Sequence, residues 1–262
     1  MSYLIVCASA LLVSGLTLFS GFGLGTLLMP VFALFFPVEM AVAATAVVHG
    51  ANNIFKVAVV GRQADRTIVL RFGLPAILAA FVGASLLAYL SVFGELVSYS
   101  IGSRRAVITP IKLVMAVLML VFALFELLPK FRALKFDRKY LPLGGVLSGF
   151  FGGLSGHQGA LRSAFLVKVG ISTEAFVGTN AVIGFMVDAV RIVTYISLLL
   201  AVRTASSTET LHWPLILAGI GAAFLGVLIG KRFMRKVTMQ AVQTLTGILL
   251  LGIAVVVGAG LI

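Results

Sequence analysis

The sequence predicts an all-α polytopic membrane protein built from two inverted repeats. Three observations carry this. The 262 residues are 61% hydrophobic and only 11% charged, whereas soluble domains have about 25% charged residues. Apolar stretches recur along the whole length, and several are long enough to span a bilayer. The pattern of the first half returns in the second, with basic residues gathered in a few short connections. No polar stretch is long enough to build an extramembrane domain, so function must reside in the membrane part.

Eight apolar stretches cover roughly 3–36, 40–60, 68–90, 108–128, 141–170, 174–200, 213–230 and 238–262. The first and fifth are about 30 residues each, too long for one straight helix across a ~30 Å hydrocarbon core. Both are interrupted by glycine: Gly21, Gly23 and Gly25 in the first, and Gly149, Gly152, Gly153, Gly156 and Gly159 in the second. The pieces on either side are about half a span at 1.5 Å per residue, as expected of broken or re-entrant half-helices. The repeat aligns Ser20–Phe22 with Ser148–Phe150, Ala44–Gly50 with Gly178–Gly184, and Ala80–Gly83 with Ala223–Gly226. This divides the chain into a first transmembrane repeat (1–130), a basic linker (131–140) and a second repeat (141–262), each repeat with about four apolar segments.

The net charge of +12 follows the positive-inside pattern rather than pointing to nucleic acid. If the two broken stretches stay on one side, the connections 61–71, 129–140 and 231–236 are all cytoplasmic together with Lys168. Thirteen basic residues then lie inside, and Arg104, Arg105 and Arg203 lie outside. If every stretch crosses once, the 231–236 connection falls on the wrong side. The favoured topology inverts one repeat relative to the other and puts both termini outside; letting each broken stretch cross twice gives the same sidedness. Anionic lipid headgroups are the expected partners of the basic loops. The single cysteine, Cys7, excludes an internal disulfide framework. An apolar start without a basic n-region argues against a cleaved signal peptide.

Paired broken segments in inverted repeats place a transporter site at the midplane. Glycine at a break exposes backbone N–H groups, and a half-helix starting there points its positive end at an anion. Thr26 and Gln158 add side-chain donors. Close helix packing is the competing explanation for glycine, and it suits Gly226 and Gly230. Arg162 costs about 2.5–3.5 kcal/mol at mid-depth, so it needs a partner, a wet cavity or an anion. Asp188 and Arg191 share a face at i, i+3, where they form an ion pair or frame a cavity in which Asp188 shuttles a proton. His49, Asn52, Asn53 and Lys56 form a polar stripe. Glu126 and Lys112 lie near the ends of their helix, where an interfacial position is expected, and His212 beside Trp213 reads as an interface anchor. With His157 able to gain a proton, the balance of charge favours an anionic substrate held by forked arginine donors.

At these residues the sequence resembles the TauE/SafE family of sulfite exporters, relatives of 4-toluene sulfonate uptake permeases. The resemblance rests on Gly21, Gly23 and Gly25 followed by Pro30 and by Ala41 and Thr45. It rests also on the second copy, Gly149 to Gly159 followed by Ala175 and Thr179. It implies a permease of the bacterial inner membrane moving sulfur-containing anions such as sulfite or sulfonates. The second copy departs from the pattern, with Gly156, His157, Gln158, Gly159, Ala160, Leu161 and Arg162 where the family has glycines and a proline. The expected substrate site comprises Gly21, Gly23, Gly25, Thr26, His49, Asn52, Asn53, Lys56, Gly153, Gly156, His157, Gln158, Arg162, Thr179, Asn180, Asp188 and Arg191. No cofactor, metal or catalytic residue is expected. A membrane-embedded enzyme is disfavoured because no H-E-x-x-H or G-x-S-x-G motif occurs. An anion channel is the main alternative, and a homo-oligomer stays open.

Overall fold

The computed structural model describes residues 1–16, 24–102, 104–132, 134, 136–167, 169–203, 212–233 and 239–262. Among them are eleven α-helices and one β-hairpin. The first half holds α1 (Ser2–Leu16), α2 (Leu24–Ala33), α3 (Val38–Val60), α4 (Arg66–Ser91), β1 (Val97–Ile101), β2 (Arg104–Ile108) and α5 (Pro110–Leu127). The short α6 (Pro129–Arg132) leads to α7 (Leu141–Ser155), α8 (Gly159–Leu166), α9 (Thr173–Arg203), α10 (Trp213–Phe233) and α11 (Met239–Gly258). Five helices are long and apolar enough to cross a membrane: α3, α4, α5, α9 and α10. Their outward faces expose apolar side chains such as Leu70, Leu78, Val117, Val193 and Leu225, as a lipid-facing surface requires.

The two broken stretches become pairs of short helices. α1 and α7 have 15 residues each, α2 has 10 and α8 has 8, so none spans ~30 Å at 1.5 Å per residue. The extent of the second break is narrower than the glycine cluster of the sequence suggests. Gly149, Gly152 and Gly153 lie inside α7, and the interruption is confined to Gly156–Gln158. Gly156 caps α7 in the left-handed conformation (φ 82°), which glycine adopts without a Cβ penalty. Gly145, Gly149 and Gly153 instead form a stripe at i, i+4, i+8. A Cβ at each would strike the backbone of Phe72, Ala76 or Ala80 on α4. These glycines let two helix backbones approach closely. It follows that Ser148–Phe150, placed within α7, do not mark the break that the alignment with Ser20–Phe22 assigns to them.

The same device recurs on the other side. Gly226 and Gly230 of α10 abut the backbone of Leu11 and Gly15 on α1. α7 therefore packs on α4, α1 on α10, α5 on α11, and α3 on α9. Three apolar cores fill the spaces. One joins Met115, Met119 and Phe122 of α5 to Leu250 and Ala254 of α11. A second joins α1, α2 and α10 through Val6, Leu27, Phe32 and Ile216. A third joins Phe72 of α4 to Phe165 and Ile183.

The hairpin was not foreseen from the sequence. β1 and β2 pair antiparallel between Val97–Ile101 and Arg104–Ile108, with β1 exposed along its length and Ala106 of β2 buried. It is tied to the C-terminus by Val107 N–H to Gly260 O at 2.9 Å and Tyr99 O–H to Ala259 O at 2.6 Å. Arg105 pairs with Glu95 at 2.8 Å on this surface. Lys112, half-buried, donates to Val107 O at 2.9 Å. Glu126, expected at an interface, is buried inside the protein at 1% exposure.

Candidate functional site

The site lies where α3 and α9 cross. The helices run antiparallel: Gly178 abuts Val60, Gly184 meets Asn53, and Gly50 meets Asp188 and Ile192. His49 is at the midpoint of α3 and Asp188 at the midpoint of α9. The start of α2 and the break between α7 and α8 converge on this crossing. A Cβ at Gly25, in the first turn of α2, would sit 3.3 Å from the Gly156 carbonyl and 3.5 Å from the His49 ring. One at Gly156 would sit 2.8 Å from Arg191 Nη1.

Asp188 is the hub. Its Oδ2 accepts from His49 Nδ1 at 2.7 Å and from Asn53 Nδ2 at 2.7 Å. Its Oδ1 accepts from Arg191 Nε at 2.9 Å and Gln158 Nε2 at 3.2 Å, with Arg191 Nη2 also 2.9 Å away. A carboxylate only accepts here, so the His49 proton is on Nδ1. Gln158 passes the network on: its Oε1 accepts from Arg162 Nη1 at 2.9 Å, and Arg162 Nε donates to Asn180 Oδ1 at 2.7 Å. Asn180 is oriented by Phe176 O at 3.0 Å. Lys56, also buried, is within electrostatic reach of Arg162 and Asp188. Among the described residues, three formal cations, Lys56, Arg162 and Arg191, thus surround one central carboxylate, all at 8% exposure or less. The cluster carries an excess of positive charge where charge is expensive to hold.

A sequence-family model for the sulfite exporter TauE/SafE matches residues 6–257. The chain belongs to the TauE/SafE sulfite exporter family. It is accordingly an integral membrane protein of a transporter family. A search among curated proteins found no match.

In this TauE/SafE chain the expected site residues divide into three groups. His49, Asn53, Lys56, Gln158, Arg162, Asn180, Asp188 and Arg191 meet in the central cluster, with Gly25 and Gly156 against it and Thr26 buried in the first turn of α2. His157 follows Gly156, with its ring stacked on Phe122 of α5 at 5.1 Å. Others are used elsewhere. Thr179 Oγ1 accepts from Asp65 N–H at 2.9 Å, and Asp65 caps α4 through Ile68 N–H at 3.0 Å; nine residues along α9, that is about 13 Å from Asp188. Asn52 turns toward α1, where Ser14 Oγ donates to its Oδ1 at 3.1 Å. Gly153 faces Ala80 of α4. Gly21 and Gly23 lie outside the described residues.

Two supporting residues escape a sequence reading that looks for charges. Tyr195 donates its hydroxyl to Gly153 O, and Ser148 Oγ donates to Gln158 O at 2.9 Å. Tyr195 was signalled by spacing, since Asp188, Arg191 and Tyr195 follow i, i+3, i+7 on one face of α9. Ser148 carries no comparable signal, because its partner is a backbone carbonyl ten residues on.

Proposed function

We propose that this protein is a secondary transporter that exports a small sulfur-containing oxyanion, sulfite or an organosulfonate, across a bacterial inner membrane. The reading rests on one observation: among the described residues, the buried cluster at the α3–α9 crossing holds Lys56, Arg162 and Arg191 against the carboxylate of Asp188. A bound anion offsets that excess, and two further features suit one. The first turns of α2 and α8 start at the breaks, where unpaired N–H groups and the helix dipole favour negative charge. Arg162 presents a planar fork matched to oxyanions. Inverted repeats rocking about this midplane site would alternate access, with export driven by protons or by the membrane potential. A channel fits less well, because every member of the cluster is buried and the crossing is closed in this conformation.

The direct test is flux of labelled sulfite through the purified protein in proteoliposomes. Saturable flux supports the reading, and single-channel currents in a planar bilayer would replace it with a channel. Arg162→Ala should lower flux about ten- to hundredfold, the worth of a hydrogen bond to a charged group. Unchanged flux in that variant would remove Arg162 from the site while leaving the transport function standing.

A further inference from the structure

His157 is buried at 1% exposure, yet its Nε2 has no hydrogen-bond partner among the described residues. Its other nitrogen is committed. Nδ1 lies 3.0 Å from Ser155 Oγ, and that hydroxyl directs its single proton to Phe151 O at 3.0 Å. The serine oxygen therefore accepts, and the His157 proton sits on Nδ1. Nε2 is left as a bare lone pair that can only accept. The ring cannot swing to a new partner easily, because it stacks on Phe122 at an interplanar angle of 14°. An orphaned buried acceptor costs free energy unless something donates to it. Among the described residues no polar group donates to it, although Arg191 Nη2 is itself a buried donor without an acceptor. The other hydrogens of Arg191, the neighbouring cation, go to Asp188 and to Gly152 O, and Tyr195 donates to Gly153 O. His157 follows directly on Gly156, against which Arg191 Nη1 lies.

We propose that His157 Nε2 accepts a hydrogen bond from the transported anion, so that the site selects anions carrying an O–H or N–H group. For sulfite this means the monoanionic hydrogensulfite form, in preference to the sulfite dianion or sulfate. For sulfonates it means those with a donor near the sulfur. Ser155 is a positioning residue that fixes the tautomer. This proposal rests on the transport reading above and narrows its substrate class. No proton leaves or joins the protein in this recognition; a donor on the ligand meets a lone pair on the imidazole.

The test uses the full chain in proteoliposomes at one fixed pH, with labelled sulfite as the transported probe. Hydroxymethanesulfonate, which carries an O–H, should compete about tenfold better than methanesulfonate, which carries none, and sulfate should compete worst. Ser155→Ala releases the tautomer and should reduce that preference severalfold. His157→Phe should abolish the preference, and His157→Gln, whose carbonyl can accept, should keep part of it. Equal competition by the two sulfonates overturns the donor requirement and leaves the transport reading intact. Absence of any sulfur-oxyanion flux overturns the transport reading instead. A readout independent of folding variants is the ¹⁵N spectrum of histidine-labelled wild-type protein. An unprotonated Nε2 on His157 supports the assignment, and a protonated Nε2 overturns it.

Discussion

Asp188 is where every arm of the central network meets, so its charge is the residue-scale determinant of the site. Removing that charge while keeping the shape isolates it. In Asp188→Asn, Arg191 loses its counter-charge in a buried setting, and one amide nitrogen is forced against donors on His49, Asn53, Gln158 or Arg191. Breaking one partner of a buried ion pair costs about 3–5 kcal/mol. A large fall in the detergent unfolding temperature is therefore expected, and a change of less than about 1 kcal/mol would show that the hub is not structural. Arg162 behaves differently. Its named contacts with Asn180 and Gln158 are to neutral amides, so Arg162→Lys keeps the charge and loses the fork. One ammonium cannot reach both amides as the guanidinium does. KM for sulfite should rise about tenfold with the unfolding temperature nearly unchanged; equal effects on kcat and KM would argue against a binding role.

At the scale of elements, glycine sets how closely helices approach, and the prediction turns on which glycine is touched. Gly149→Ala drives a methyl into the Ala76 backbone on α4. Backbone cannot give as a flexible side chain can, so α7 must move away, at a cost of about 1–3 kcal/mol. Gly252→Ala on α11 meets nothing within 4 Å, and it should be neutral or stabilising by up to about 1 kcal/mol through helix propensity. Equal unfolding temperatures for the two variants would refute close packing of α7 on α4. These glycines also show what the sequence does and does not make legible. Composition and stretch length give the class, the eight apolar stretches and the half-span pieces. The i, i+3 spacing gives the Asp188–Arg191 pair. The break itself is read too wide, because glycine serves both a helix stripe and a helix stop. Only the regular four-residue step of Gly145, Gly149 and Gly153 separates packing from the left-handed cap at Gly156. Contacts such as His49 to Asp188, 139 positions apart, carry no local periodicity at all, and the same holds for Thr179 on Asp65 and Asn52 on Ser14. The hairpin does carry a local signal, strict alternation over Val97–Ile101 followed by Gly102 and Ser103, but a reading led by long apolar stretches passes over it.

For the whole molecule, the direction of the helices bears on which way the two halves face. α7 pairs in parallel register with α4, Gly145 to Phe72 and Gly153 to Ala80. α1 pairs in parallel register with α10, Leu11 to Gly226 and Gly15 to Gly230. α4 leaves the basic 61–65 connection and runs toward the hairpin. The 134–140 connection lies at the same end as 61–65. Phe136 bonds to Ala164 at the end of α8, and Asp65 bonds to Thr179 near the start of α9. α11 ends beside the hairpin, where Gly260 accepts from Val107. If α10 and α11 each cross once, α10 runs from the hairpin end to the basic end, and α1 runs with it, opposite to α7. We read the halves as inverted on this basis, with the loop charges fixing the basic end as cytoplasmic. The C-terminus then lies outside, at the hairpin end. A reporter fused after Ile262 that works only in the periplasm should be active, and one fused within 129–140 should be silent. A reporter after Ile262 active only in the cytoplasm would reverse the topology. Equal activity at both positions would rule out the opposite placement of hairpin and linker, and with it the proposed inversion of the halves.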